Sequence, residues 1–191
     1  MTDNIISIQY DSDIAKGNEA VRFSFYANIG FFIEVAQMFE FNLRKLICYE
    51  RSVKEIERGA ITKENVERIC AKYDRYYDDT YLGKSKFTLG KLINESKNDS
   101  SIPKEFFDFL DELNEFRVNL VHNIFQNNII IHDFDSAEFV LEYTNKRIIP
   151  MTNKAIEINR AIIGIIDLYR SNLQDYKAQV MFHSFHNMYV K

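Results

Sequence analysis

The chain has 191 residues, of which 46% are hydrophobic and 14% aromatic, with 16 Phe, 11 Tyr and no Trp. This apolar content supports a folded core and excludes general disorder, and the low counts of 6 Gly and 2 Pro favour long helices over the many tight turns of an all-β protein. The formal net charge of −4 excludes a protein that coats nucleic acid through a uniformly basic surface, but it is compatible with a local basic cleft.

The N-terminal part divides into an arm and a long helix. Residues 1–17 are expected to form an irregular arm, with a short strand as one option at residues 5–10. From Asn18 to about Glu57, apolar residues recur at alternating steps of four and three, which predicts a helix with one buried stripe. The stripe comprises Phe25, Ile29, Phe32, Ala36, Phe39, Leu43 and Leu46, and it is widened by Phe31, Val35 and Met38. A helix apolar over so much of its circumference is expected to be central.

A second, heavily charged helix is predicted after a break at Gly59. Thr62 stands where a side-chain oxygen can accept a backbone N–H of the first turn, so it is the expected N-cap. The helix is expected to run to about Asp78, with Ile69 and Tyr73 on its apolar side.

Two more helices are predicted before residue 126. Thr88 is expected to open a short apolar helix over residues 89–93, and the polar run 94–101 is expected to be a loop. Pro103 suits the first turn of the next helix, where its missing N–H costs nothing. That helix is expected to reach about Phe125.

Residues 126–150 admit two interpretations. The β-branched run 129–131 favours a strand, and residues 138–151 are compatible with a hairpin that turns at 145–146. Asp135 and Glu138 have the spacing of a capping box, however, which slightly favours a helix.

The complete pattern predicts an all-α fold. After Pro150, Thr152 is expected to cap a last long helix that carries the apolar residues Ile158, Ile162, Ile165 and Tyr169. We expect an up-and-down antiparallel helical bundle with a long central first helix and, as the open alternative, a small β-hairpin within 126–150. The helical domain is expected to cover residues 18–177, followed by a tail over 178–191.

Three features predict a cytoplasmic protein. Cys48 and Cys70 are isolated and lie in no C-x-x-C pair, which is typical of reduced thiols. Asp3 and the absence of a basic residue before the apolar part of residues 1–10 argue against a signal peptide. The most apolar stretch, residues 29–41, is interrupted by Glu34, Gln37 and Glu40, so no membrane span is expected.

The segment around Arg117 and His122 is the strongest candidate for chemistry. On an ideal helix these two residues lie about 140° apart, so both can line a groove into which the helix protrudes. Asn119 neighbours His122 on the same surface. Spacing alone is a weak signal, and the structural alternative is a helix-terminal His with an Arg paired to Asp111 or Glu112.

The same segment resembles the R-x(4–6)-H motif of the HEPN superfamily of ribonucleases, in which the motif lies late in a helix of an up-and-down bundle, after a long apolar first helix. The run 88–93 also looks like stretches found in some members. Two positions depart from the family: Val118 replaces a residue that is often polar, and Ile124 stands where the toxins neutralised by AMP addition have Tyr. That form of regulation is therefore not expected.

The resemblance implies a metal-independent endoribonuclease with Arg117 and His122 as catalytic residues and Asn119 and Asn123 in support. It also implies an RNA substrate, a homodimer that pairs two motif helices, no cofactor, and a toxin–antitoxin or antiphage role with a cognate antitoxin or regulatory protein as partner. These residue types suit the reaction, because RNA cleavage needs a base, an acid and a cation at the phosphorane. Histidine can be the base or the acid, and arginine can be the cation. Two alternatives remain open: a non-catalytic HEPN-like module that binds a nucleotide or a protein, and a structural helical protein.

Other candidate sites are weaker. Lys72, Arg75 and Tyr76 are a cluster with RNA-binding potential, although such residues more often pack against a bundle. His183 and His186 form an H-x-x-H without a third ligand nearby, so no metal site is expected. The acidic residues of the motif helix are expected to form a solvated face; they are Asp108, Asp111, Glu112 and Glu115.

Overall fold

The computed structural model describes residues 18–81, 88–99, 102–124 and 137–189, and all regular structure within these ranges is helical. The α-helices are α1 (Asn18–Glu57), α2 (Lys63–Tyr81), α3 (Leu89–Asp99), α4 (Lys104–Val118), α5 (Ala137–Tyr143) and α6 (Ile149–Tyr189). Two π-helical segments, π1 (Asn119–Ile124) and π2 (Thr144–Ile148), continue α4 and connect α5 to α6. The predicted all-α helical bundle is confirmed. The predicted arm and the possible strands at 5–10 and 129–131 lie outside the described residues.

The chain divides into two compact units, each built from two separate stretches of sequence. Unit 1 comprises Met1–Phe39 and Asp108–Ile158, and unit 2 comprises Glu40–Phe107 and Asn159–Lys191. Helix α1 therefore contributes its first half to unit 1 and its second half to unit 2. None of the helices in the described ranges has both the length and the apolar character that crossing a membrane requires.

The stripe of α1 forms the core of unit 1 up to Phe39. Phe32 is fully buried, and its ring meets that of Phe116 from α4 edge to face, with the centroids 5.1 Å apart. Phe25 makes a similar contact with Tyr143 of α5 at 6.5 Å. Such aromatic pairs contribute roughly 0.5–1.5 kcal/mol beyond the burial of their area.

The stripe is narrower than the sequence suggests. Val35 is buried, but Phe31 and Met38 are 39% and 46% exposed, so the prediction that all three widen it is wrong for two of them. On an ideal helix Val35 lies about 70° from the centre of the stripe, whereas Phe31 and Met38 lie about 110–130° away. The buried arc of α1 therefore ends between these angles.

In unit 2, helices α1 and α2 run antiparallel while α1 and α6 run parallel. Phe41 of α1 contacts Tyr77 of α2, and Glu55, later in α1, contacts Lys72, earlier in α2. Toward α6, the partners advance together along both helices: Asn42 donates to Asn159 at 3.0 Å, and the hydroxyl of Tyr176 donates to Glu57 at 3.0 Å. The core of the unit contains Val53, Ile56, Val66, Ile69, Cys70, Leu173 and Val180.

The boundaries of α2 and α3 test the sequence predictions closely. The N–H of Asn65 donates to the Thr62 hydroxyl at 3.3 Å, so the predicted cap is confirmed. Helix α3 continues to Asp99, and the predicted loop from residue 94 is wrong for the described residues. The polar side chains that suggested a loop have partners: the buried Ser96 hydroxyl donates to the Leu92 carbonyl at 2.8 Å, and Glu95 accepts from the hydroxyl of Tyr76 at 2.8 Å.

Residues 137–150 are helical, which confirms the favoured interpretation of that part of 126–150 and leaves no hairpin there. The predicted cap at Thr152 is wrong, because the helix is already continuous and the Thr152 hydroxyl donates to the Ile148 carbonyl at 2.8 Å. Pro150 gives a physical reason for π2 just before it: proline has no N–H for the carbonyl four residues back and its ring crowds that carbonyl. Accordingly, the N–H of Ile149 donates to Thr144, five residues back.

Replacing Phe32 with Ala should lower the free energy of unfolding by roughly 3–5 kcal/mol, because it removes a fully buried ring and its partner contact. The adjacent Phe31→Ala is the matched control, and its cost should be about 1 kcal/mol or less because that ring is partly solvated. Urea denaturation followed by circular dichroism measures both. Equal losses would show that the buried arc of α1 has been placed on the wrong residues.

Burial raises the pKa of the Cys48 thiol from its ordinary value of 9.0 to about 12, against a smaller opposing effect of Arg51. The unfolded chain then releases this proton at a lower pH than the folded chain does, so stability should fall as the pH rises from about 9 toward 12. Denaturation measured across this range should show a shallower fall for Cys48→Ala than for the unaltered protein. Identical slopes for the two proteins would argue against a buried neutral thiol.

Candidate active site

The motif lies where α4 passes into π1, in unit 1. The apolar side of α4 is buried through Phe109, Leu110, Leu113 and Phe116, and Leu120 of π1 is fully buried as well. Because these residues hold one side of the helix in the core, the opposite side faces solvent. The positions of the motif residues follow from this arrangement.

His122 is exposed and Arg117 is half-buried. Val118 and Asn119, between them, are also exposed. A histidine held in the core for packing is therefore excluded at position 122. Glu112, one of the two acids considered as a structural partner of Arg117, lies 3.8 Å from Lys154.

The π-helical winding changes the relation between the two motif residues. Arg117 is the penultimate residue of α4, and His122 lies within π1. A turn closed by i→i+5 bonds holds more residues than an α-turn. Around the helix axis, residues five apart are therefore separated by less than the angle of about 140° on an ideal α-helix. The winding therefore brings Arg117 and His122 toward the same side. Single π-turns within α-helices are frequent at functional sites.

Three polar residues near the motif are exposed: Glu115, Asn119 and His122. Asn119 and His122 both belong to π1, where residues three apart are separated by a wider angle than on an α-helix, so the predicted adjacency of their side chains stays a prediction. The backbone of Asn123 belongs to π1, and its side chain lies outside the described residues.

The surroundings of the motif are acidic. The predicted solvated face is confirmed, since Asp108, Asp111, Glu112 and Glu115 are all exposed. Carboxylates on the helix that carries the motif oppose the approach of phosphate at long range, and salt screens this effect.

The cluster with RNA-binding potential lies in unit 2 and is largely engaged in contacts within it. The Lys72 ammonium donates to Glu55 at 2.6 Å, which lowers the pKa of that carboxyl, and the Tyr76 hydroxyl donates to Glu95. Arg75 is exposed. Because the Lys72–Glu55 pair carries no net charge, this cluster attracts phosphate mainly through Arg75.

Within the residues that the structure describes, no group of three or more His, Cys, Asp or Glu side chains is placed to hold a metal ion. The side chains of His183 and His186 lie outside those residues. The Arg117–His122 helix itself offers one imidazole and one guanidinium, which suits proton transfer and anion stabilisation.

One feature of unit 2 was missed by sequence analysis. Both cysteines and three tyrosines line one cavity of about 180 Å³ between α1, α2 and α6. The signal was present in the spacing of Cys70, Tyr73 and Tyr77 at steps of three and four, which places them on one side of α2.

No protein-family model, no curated protein and no solved structure matches the chain. Membership of the HEPN superfamily stays a prediction that rests on the residues of the motif helix.

Leu120 and His122 provide a paired test of the site's geometry. Leu120→Ala should cost roughly 2–5 kcal/mol in unfolding free energy because it removes a buried anchor, whereas His122→Ala should change it by about 0.5 kcal/mol or less. Chemical denaturation measures the difference. A large loss in His122→Ala would mean that the imidazole is part of the packing and is not held for reaction.

Proposed function

We propose that the chain is a metal-independent endoribonuclease of HEPN type in which Arg117 and His122 act directly on the scissile phosphate. The observation that carries the proposal is the exposure of His122 on a π-turn that winds it toward the side of Arg117. An imidazole in that position is accessible to a substrate, and a half-buried guanidinium loses less conformational freedom when it binds an anion.

The reaction follows from the chemistry of these groups. A base removes the proton of the ribose 2′-hydroxyl, the 2′-oxygen attacks phosphorus, and the bond from phosphorus to the 5′-oxygen breaks as an acid protonates the leaving oxygen. The products are a 2′,3′-cyclic phosphate and a 5′-hydroxyl. Arg117 binds the non-bridging oxygens, whose charge grows in the transition state.

A single imidazole cannot be neutral base and charged acid in the same step. We therefore propose a homodimer in which two motif helices meet, so that the two copies of His122 serve as base and acid and the two copies of Arg117 share the phosphate. Asn119, which is exposed on π1, would orient the substrate or the imidazole, and Asn123 directly follows His122 in sequence.

The proposed biological role is that of a toxin or antiphage effector in the cytoplasm, restrained by a cognate antitoxin or regulatory protein. The acidic surface of the motif helix supports a substrate that is selected through specific contacts, because nonspecific phosphate attraction is weak there. A gene neighbour encoding a small partner protein would support this role.

A second candidate function is a non-catalytic module that binds a nucleotide or a protein. The four exposed carboxylates of α4 and the apolar Val118 directly after Arg117 favour it, since both make the surface less suited to RNA than a basic cleft. The two candidates differ in whether RNA bonds are broken.

Pure protein incubated with total RNA and EDTA should produce fragments that end in 2′,3′-cyclic phosphate. His122→Ala should reduce the rate by about 10²–10⁴-fold, the usual contribution of acid–base catalysis. Arg117→Lys should also lose cleavage activity, because lysine keeps the charge but lacks the planar guanidinium that binds two phosphate oxygens. Arg160→Lys, at an exposed position of α6, is the matched control and should retain activity. The rate should pass through a maximum as the pH is varied, since one imidazole must be neutral and another charged.

Cleavage that persists in His122→Ala, or that disappears with EDTA, would place the chemistry elsewhere. Folded wild-type protein that binds RNA or a nucleotide without cutting would favour the second candidate. Folded protein that neither binds nor cuts would leave the R-x4-H pair without a catalytic role.

A further inference from the structure

One cavity of unit 2 lies between three helices and is open to solvent on one side. Its volume is about 180 Å³, and its walls come from α1, α2 and α6. An apolar cavity of about 150 Å³ is sufficient to bind benzene. A space of this size fits a ligand of one or two rings, below the size range of typical drug-sized pockets.

The inner wall offers aromatic rings and sulfur. The rings belong to Tyr49, Tyr73 and Tyr77, and the thiols belong to Cys48 and Cys70. Burial raises the pKa of both thiols, so both are uncharged at neutral pH. Rings and thiols are polarisable, and they contact a flat aromatic ring favourably by stacking, by edge-to-face packing and through sulfur.

Two hydroxyls of the wall are already engaged with the protein. The Tyr73 hydroxyl donates to Glu55 at 2.9 Å, and the Ser52 hydroxyl donates to the Cys48 carbonyl at 2.8 Å. A ligand with many polar groups would therefore lose hydrogen bonds to water without regaining them inside. This favours a ligand whose buried part is a hydrocarbon ring.

Charged side chains also line the cavity, and they are solvent-accessible. Lys177 and Asp74 are exposed, and Lys45 is half-buried with its ammonium 4.4 Å from the centre of the Phe41 ring. Two cations and one carboxylate leave one net positive charge. A ligand that carries one negative charge on its solvent side is complementary to this arrangement.

We propose that the cavity binds a small aromatic carboxylate, with its ring between the tyrosines and thiols and its carboxylate at the solvent side near Lys45 and Lys177. This site is formed entirely by residues of unit 2. It does not depend on the proposed ribonuclease activity, whose motif belongs to unit 1.

The two thiols allow occupancy of the cavity to be measured, and Cys48 distinguishes it from a neighbouring pocket that Cys70 and Lys177 also line. They are the only cysteines among the 191 residues, and both line it. Alkylation of the full-length protein with N-ethylmaleimide at mildly alkaline pH, followed by mass spectrometry, reports the accessibility of each thiol. 1-Naphthoate should slow the alkylation of both thiols in a saturable manner. Three analogues should protect less: 1-naphthamide lacks the charge, 1-naphthylmethylamine reverses it, and cyclohexanecarboxylate lacks the aromatic ring.

Lys177→Gln should raise the Kd for 1-naphthoate by about two- to fivefold, the range for an exposed ion pair. Lys146→Gln, an exposed lysine of unit 1, is the matched control and should leave the Kd unchanged. Both substitutions lie at exposed positions and are expected to preserve the fold, which circular dichroism verifies. Calorimetric titration gives the Kd values independently of thiol chemistry.

Absence of Cys48 protection by every aromatic probe, with or without protection of Cys70, would overturn the proposal. Equal protection by the carboxylate, the amide and the amine would overturn the assignment of a carboxylate ligand. Unaltered affinity in Lys177→Gln would overturn the placement of the charged group. RNA cleavage is measured separately, so its loss or absence bears only on the site in unit 1.

Discussion

The buried stripe of α1 is the constraint on which the packing of both units depends. All seven residues of the stripe, from Phe25 to Leu46, are buried, and α1 contributes to both units. In unit 1 the stripe receives aromatic rings, as at Phe32 and Phe116. Because the apolar residues of α1 are committed to the core, polar residues such as Glu55 and Glu57 flank it and meet the neighbouring helices. The stripe thus determines which polar groups are available for contacts between helices.

In unit 2, tyrosine hydroxyls form hydrogen bonds to polar residues of neighbouring helices. In its described part, four of them donate to glutamates on other helices; the pairs are Tyr73–Glu55, Tyr76–Glu95, Tyr169–Glu50 and Tyr176–Glu57. A tyrosine ring packs in the core while its hydroxyl reaches the edge, and a charged acceptor strengthens the bond. The two pairs to α6 have the same sequence separation, 119 residues, so they favour one register of the parallel helices. An apolar stripe alone tolerates sliding by a turn more readily.

The sequence was most informative where a period of 3.6 residues repeats for many turns. The bounds of α1 were predicted correctly because seven stripe residues support them, and Thr62 was predicted as a cap because its partner is local. The end of α3 was missed because Ser96 and its polar neighbours find partners that only the folded chain provides. The π-turns were missed because an i→i+5 turn leaves no periodic signal within five or six residues. At the candidate site, therefore, the solvated acidic face could be predicted, whereas the winding that relates Arg117 to His122 could not.

For the proposed ribonuclease, the acidic motif helix limits which contacts can supply the energy of RNA binding. Four exposed carboxylates on α4 reduce general attraction for RNA, so this surface cannot gather substrate through charge alone. Binding energy must then come from contacts close to the scissile phosphate, where Arg117 acts over a short distance and salt screens the more distant carboxylates. A second copy of the motif helix would double the guanidinium groups at that phosphate, but it would also double the surrounding negative charge. The proposed dimer therefore requires that the two Arg117 side chains approach the phosphate more closely than the carboxylates do, since attraction and repulsion both weaken with distance.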